Sequence, residues 1–299
     1  MGSGLSVLCV CLLAQVPSLE TRFPQVAPEV RPIERWQRRP GQQRAVVLIQ
    51  GLLVRPFHKD SVKLPTLREW QKPGSALVKH LEVVADVYAF AYAQSVDVDE
   101  IGDLLSLRDG VRRLRELGYR EVVLVGHSAG GLVARRLVED YPDLGVTKVI
   151  QVCTPNAGSA WAKIQAVPRV QKPFLQSLTQ EGRRRSRGER PGLRIPEHVE
   201  FVCLVGTGLM AGDGVVSCRS QWTTDLQEQG IPAVPFTTDH LSAVRSAAGA
   251  EKITSLVVTR QLRWSQAQVA AVRKTLLEEG PFDRLFPGRG KVDDRAGLR

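Results

Sequence analysis

Cysteine is scarce, at 5 in 299 residues. Cys9 and Cys11 sit in an apolar run at the start of the chain, which leaves Cys153, Cys203 and Cys218 in the body. None of them forms a CxxC pair or has the Cys/His spacing of a zinc site, and an odd total excludes complete pairing, although one bridge is compatible with it. Long apolar runs are missing too. The run over residues 5–14 falls well short of the roughly 20 residues that span a bilayer, which excludes an ordinary helical membrane protein. Aromatic residues make up only 6%. The net charge of +10, from 41 Lys+Arg against 31 Asp+Glu, is accompanied by no base-stacking pattern and no recognition helix, so nucleic acid is not expected as a partner. Hydrophobic residues at 43% and charged residues at 24% are an ordinary globular balance, which excludes disorder, collagen and coiled coil over most of the length.

Residues 1–18 read as a candidate signal peptide whose basic n-region is missing. Secretion or a periplasmic location is the expectation if the segment is cleaved, and a cytoplasmic one otherwise. Residues 19–43, rich in Pro and Arg, read as an irregular lead-in. From Arg44 the signals alternate. Ala45-Val46-Val47-Leu48-Ile49 is a short continuous apolar run, as a strand buried on both faces shows. A helix is expected near 75–81, a strand over 83–90, one helix over 98–117, a strand over 121–125, a helix over 132–141, and strands over 146–152 and 201–205. This β-α-β-α pattern predicts a mostly parallel sheet with helices on both faces, in a domain over 44–287 with a flexible tail at 288–299. Residues 160–196 break the alternation and carry Arg183, Arg184, Arg185, Arg187, Arg190 and Arg194. They read either as a lid or cap insertion or as a solvated basic loop. The Arg cluster itself reads as a solvated surface, with contact to an anionic lipid surface as the alternative.

The chemistry starts at Gly126-His127-Ser128-Ala129-Gly130-Gly131. An apolar strand ends just before Gly126 and a helix begins just after Ser128, the context a nucleophile elbow requires: small residues let the turn close in a strained conformation that lifts the Ser hydroxyl above the sheet. A serine hydroxyl needs a base oriented by an acid. On such an elbow the acid follows the Ser and the His follows the acid. His240, in the loop after Val234-Pro235-Phe236, is the expected base; His198 precedes a strand and has no access. Asp213, in the loop after the strand ending at Val205, is the expected acid, ahead of Asp225 and Asp239. For an oxyanion hole the backbone N–H of Ala129 and that of Leu52, with Leu53 next, are the expected donors.

Four motifs carry a resemblance: Gln50-Gly51-Leu52, the elbow from Gly126 to Gly131, Thr154-Pro155-Asn156-Ala157-Gly158-Ser159, and Asp213-Gly214-Val215-Val216-Ser217 followed by His240. Together they resemble the bacterial lipase/esterase branch of the α/β-hydrolase superfamily. The resemblance implies the α/β-hydrolase fold, a Ser-Asp-His triad, ester or lipid substrates, and no cofactor. Two positions depart from it. Such lipases usually carry His where Gln50 stands. Some bind calcium through an Asp two residues after the catalytic His, where this chain has Ser242, so no metal is carried over. An acyltransferase or thioesterase using the same triad, or a non-catalytic binder on the same fold, are the alternatives. A further match, Gly206-Thr207-Gly208-Leu209-Met210-Ala211, fits a dinucleotide fingerprint, but Gly212-Asp213-Gly214 would break the helix that a pyrophosphate needs.

Overall fold

The computed structural model describes residues 19–29, 35–53, 62–163, 167–209 and 211–278. The candidate signal peptide and the tail at 288–299 lie outside these. The strands are β1 (Thr21–Arg22), β2 (Gln25–Ala27), β3 (Arg44–Ile49), β4 (Asp86–Tyr92), β5 (Glu121–His127), β6 (Lys148–Val152), β7 (Glu200–Gly206) and β8 (Ala233–Phe236). They form one sheet in the order β1-β4-β3-β5-β6-β7-β8, with β2 also pairing to β4. From β4 to β8 every neighbouring pair is parallel. Parallel strands need a crossover between them, and in this chain helices supply most of the cover.

The helices are α1 (Ala76–Leu81), α2 (Val98–Gly102), α3 (Leu105–Glu116), α4 (Ala129–Asp140), α5 (Lys172–Ser177), α6 (Gln180–Gly188), α7 (Cys218–Gln221), α8 (Thr224–Glu228), α9 (Ser242–Arg245), α10 (Ala247–Val258) and α11 (Gln266–Arg273). They divide between two cores. One sheet face packs Val47, Ile49, Phe90 and Leu124 with Leu107, Val111, Val133 and Leu137 of α3 and α4. The other packs Val46, Leu48, Val87 and Val125 with Leu77, Leu81, Ile253 and Val257 of α1 and α10. Residues 45–49 are therefore apolar without alternation because both faces of β3 are covered.

Three expectations are corrected. The single helix expected over 98–117 is two, α2 and α3, separated by Asp103 and Leu104. Gly102 ends the first where a Cβ would meet the Arg136 side chain at 2.5 Å. The strand expected over 83–90 starts later, at Asp86, because residues 82–85 turn, with the N–H of Ala85 donating to the Leu81 carbonyl at 2.9 Å. The lead-in is not irregular throughout. Its β1 and β2 pair antiparallel to β4, and Trp36 meets Phe23 and Tyr88 edge to face. Asp86, wholly buried, fixes it further by accepting from the Arg39 and Tyr119 side chains. Strands of two and three residues are too short for a period-2 signal.

The described part of 160–196 is packed rather than loose. Phe174, Leu175 and Leu178 are buried, and the Val98 N–H donates to Ser177 Oγ at 3.1 Å. Arg183 is buried and pairs with Asp99 at 3.0 Å. Arg190 pairs with Glu139 and Asp140 and Arg187 with Asp225, so part of the basic cluster is spent inside the protein. Arg184, Arg185 and Arg194 are exposed.

Candidate active site

Parallel strands bring their carboxyl ends to one edge, and the loops leaving β3, β5, β6, β7 and β8 meet there. Ser128 joins β5 to α4. Its φ of 55° and ψ of −126° lie in a region that a residue with a side chain rarely occupies, and close packing maintains it. The turn closes only because its neighbours are glycine. A Cβ on Gly126 would lie 2.4 Å from the Gly130 carbonyl oxygen, one on Gly130 2.2 Å from that of Ile49, and one on Gly131 1.8 Å from Thr154 Oγ1. Ser128 is the N-cap of α4, yet its side chain makes no capping bond. A structural capping serine, the plain alternative for this motif, is thereby excluded, and the hydroxyl is left for other work.

Asp213 and His240 come together as expected. His240 Nδ1 lies 2.8 Å from Asp213 Oδ2, and the His240 N–H donates to the Asp213 carbonyl at 3.0 Å. The other carboxylate oxygen, Oδ1, accepts from the N–H groups of Val215 at 2.8 Å and Val216 at 2.7 Å. Burial would push this carboxyl up, but the His240 bond and charge and the two amides outweigh it and hold Asp213 below the usual carboxylate range. The carboxylate therefore fixes the Nδ1–H tautomer and leaves Nε2 as an acceptor. The rival acids are otherwise engaged. Asp239 Oδ1 caps α9 through the N–H groups of Leu241 and Ser242, and Asp225 pairs with Arg135 and Arg187. His198 is exposed, against the Pro142 carbonyl.

His127 is more than a spacer. Its Nε2 meets the His240 carbonyl oxygen at 2.8 Å, its ring lies 4.8 Å from that of His240, and Trp70 packs on its other side edge-on. Burial first, and then the nearness of His240, push its pKa down to about 3. It is thus a neutral donor that holds the His240 loop beside the elbow. Trp161 is exposed.

The loop after β3 runs across the elbow. A Cβ on Gly51 would lie 3.2 Å from Ser128 Oγ, so the Gly51–Leu52 peptide borders the hydroxyl. The N–H of Leu53, the runner-up to Leu52 as a donor, is taken by Gln94 Oε1 at 2.9 Å. Leu52 is then the expected donor that stands clear. Among the described residues, none accepts from its N–H or from that of Ala129 at the start of α4.

Buried glutamines do the holding here. Gln50 bonds the Tyr92 carbonyl at 3.0 Å while Tyr92 bonds that of Gln50 at 2.7 Å. Gln94 Nε2 donates to the Gly51 carbonyl at 2.9 Å, joined there by Arg68 at 3.0 Å, and Gln171 donates to the Leu53 carbonyl and to Gln94. The Asp213 loop has a parallel set. Gln221 bonds both backbone groups of Gly206 and the Val216 carbonyl, Asn156 donates to the Gln221 carbonyl at 2.9 Å, and Ser159 Oγ donates to that of Val215 at 2.6 Å. The motif from Thr154 to Ser159 thus braces the Asp213 loop. Apart from that motif and Gln50, these residues carried no sequence signal, because single buried amides have no motif. Cys153, at the end of β6, was equally silent. Its thiol, an Asp213 oxygen and a His240 nitrogen lie within 4.8 Å of one another.

No protein-family model matches the sequence, and no curated protein does. Solved structures match it. The mature form of Bacillus licheniformis lipase BlEst2 is similar with a TM-score of 0.56 and 14% identity over 80% of this chain and 98% of that one. Aspergillus fumigatus lipase B gives 0.52 and 13% over 77% of this chain and 56% of that one. Phospholipase PlaB from Legionella pneumophila gives 0.52 and 15% over 78% and 62%. With the strand order and the elbow, the likeness establishes an α/β-hydrolase fold.

Proposed function

We propose that this chain hydrolyses carboxylic esters as a serine hydrolase, with Ser128 as nucleophile, His240 as base and Asp213 as the group that orients it. The observation that carries the reading is the buried Asp213–His240 pair set beside a strained elbow whose serine does no structural capping. His240 Nε2 takes the Ser128 proton as Oγ attacks the ester carbonyl. Asp213 stabilises the resulting imidazolium. The N–H groups of Leu52 and Ala129 receive the negative oxygen of the tetrahedral intermediate, and the positive end of α4 favours the same charge. His240 then protonates the leaving alcohol, and water activated by the same ring releases the acyl enzyme.

Similar folds carry lipase and phospholipase names, which supports ester or lipid substrates for this site. In this reading the insertion over 160–196 serves as a lid or cap. Export through residues 1–18 belongs to the same proposal and is tested by the N-terminal sequence of chain recovered outside expressing cells.

Hydrolysis of p-nitrophenyl esters from acetate to palmitate, with wild type beside Ser128→Ala, tests the reading. Turnover in the wild type that disappears in the variant supports it, and the chain-length optimum separates esterase from lipase. Equal, near-blank rates for both proteins across the series sink it.

A further inference from the structure

Ester hydrolysis leaves one nucleophile of this site unused. Cys153 follows β6 with a φ of 53°, which favours glycine. That turn sends its thiol inward, toward β7, where a Cβ on Gly206 would lie 2.9 Å from Sγ and 2.7 Å from the Cβ of Asp213. The thiol is fully enclosed. One donor atom each from Cys153, Asp213 and His240 then lie within 4.8 Å of one another, on three buried residues from three different loops.

Sulfur, imidazole nitrogen and carboxylate oxygen are together a ligand set for zinc and, more strongly through the sulfur, for cadmium. In a tetrahedral zinc site adjacent donors stand about 3.5 Å apart, so sides of up to 4.8 Å must close by about 1 Å while the 2.8 Å side between His240 Nδ1 and Asp213 opens by somewhat less. The charges also fit. A thiolate, a carboxylate and a neutral imidazole around a divalent cation sum to zero, which a buried site requires.

We propose that Cys153, Asp213 and His240 form a binding site for a thiophilic divalent cation, Zn2+ or Cd2+, and that occupation arrests the active site. The cation replaces the thiol proton, which leaves to solvent. It also takes His240 Nδ1, and the single proton of the neutral imidazole moves to Nε2. Nε2 is then a donor and cannot accept the Ser128 proton. Arrest rests on the hydrolase reading above; binding does not.

The test is a Cd2+ titration of the full chain carrying Cys9→Ser and Cys11→Ser, following the ultraviolet thiolate-to-cadmium band. A band that saturates at one cation per chain is expected in this background and with Ser128→Ala added. It should vanish with Cys153→Ser and with Cys153→Ala, and Asp213→Asn should weaken the affinity at least tenfold. In parallel, the Zn2+ concentration that halves ester turnover should rise at least tenfold in Cys153→Ser, measured against that variant's own uninhibited rate. A band that persists without the Cys153 thiol, or no band at all, overturns the proposal. A band in a protein with no ester turnover instead overturns the hydrolase reading and leaves the cation site standing.

Discussion

Gly51 and Ser128 touch with no space between them: a Cβ on Gly51 would lie 2.6 Å from the Cβ of Ser128 and 2.8 Å from the His127 carbonyl oxygen. The loop proposed to supply one oxyanion donor is thereby seated directly on Ser128. Gly51→Ala must push the two apart. A displacement near 1 Å at reacting groups costs roughly 10²-fold, so kcat/KM for ester hydrolysis should fall by about that factor while circular dichroism keeps the wild-type fold. Activity within a few-fold of wild type would mean that the Leu52 N–H does not serve the reaction.

Gln94 holds the same loop from the far side, through the Gly51 carbonyl at 2.9 Å and the Leu53 N–H at 2.9 Å. Gln94→Ala frees the Leu53 N–H, leaves the Gly51 carbonyl with Arg68 as its partner, and leaves Gln171 Nε2 with only the Leu53 carbonyl. The expected result is a drop in kcat of roughly 10–100-fold, with KM moving much less, since positioning of a transition-state donor is lost rather than substrate binding. Steady-state kinetics on the best p-nitrophenyl ester separate the two; a rise in KM alone would contradict it.

Sequence and structure agree where periodicity or a motif carries the information. The continuous apolar run at 45–49 becomes the central β3, and the order Ser128, Asp213, His240 becomes a buried acid–base pair beside an elbow. What was not legible depends on long-range contact. Leu52 is expected ahead of Leu53 from its place in the loop, but that the Leu53 N–H is taken by the Gln94 amide, 41 positions away, carries no local signal. Cys153 was an isolated thiol until β6 and β7 placed it beside Asp213. The edge strands β1 and β2 were hidden because pairing with β4, rather than a pattern of their own, creates them.

His127 makes the fold sensitive to acid. Burial holds its folded pKa at about 3, against an ordinary 6.5, so below pH 6.5 the unfolded chain takes up a proton that the folded chain refuses. Stability is unaffected above that value and falls as pH drops from 6.5 toward about 3, by on the order of a few kcal/mol. Urea midpoints of wild type and His127→Gln across this window are the check. The wild-type midpoint should fall more steeply than that of the variant, and parallel curves would refute the assignment.

Lys148 opens β6 at the end of the sheet away from the site. Its Nζ donates to the carbonyls of Leu256 at 3.2 Å, Val257 at 3.1 Å and Thr259 at 2.8 Å, and meets Glu200 at 3.1 Å. A buried ammonium that closes a helix end in this way is structural. Lys148→Met should cost about 2–3 kcal/mol in denaturant unfolding, from uncapped carbonyls and a Glu200 left with the exposed Arg260 and the Gln261 N–H. Turnover per folded molecule should stay at the wild-type value.

The central claim is that Ser128 is a nucleophile activated by His240, and covalent labelling tests it without a choice of substrate. A fluorophosphonate, analysed by intact mass and peptide mapping, should add one phosphonyl group to the wild type, on Ser128, and none to Ser128→Ala. His240→Ala should slow the labelling by at least 10³-fold. A wild-type chain that stays unmodified, or an adduct on another residue that survives in Ser128→Ala, would contradict the account.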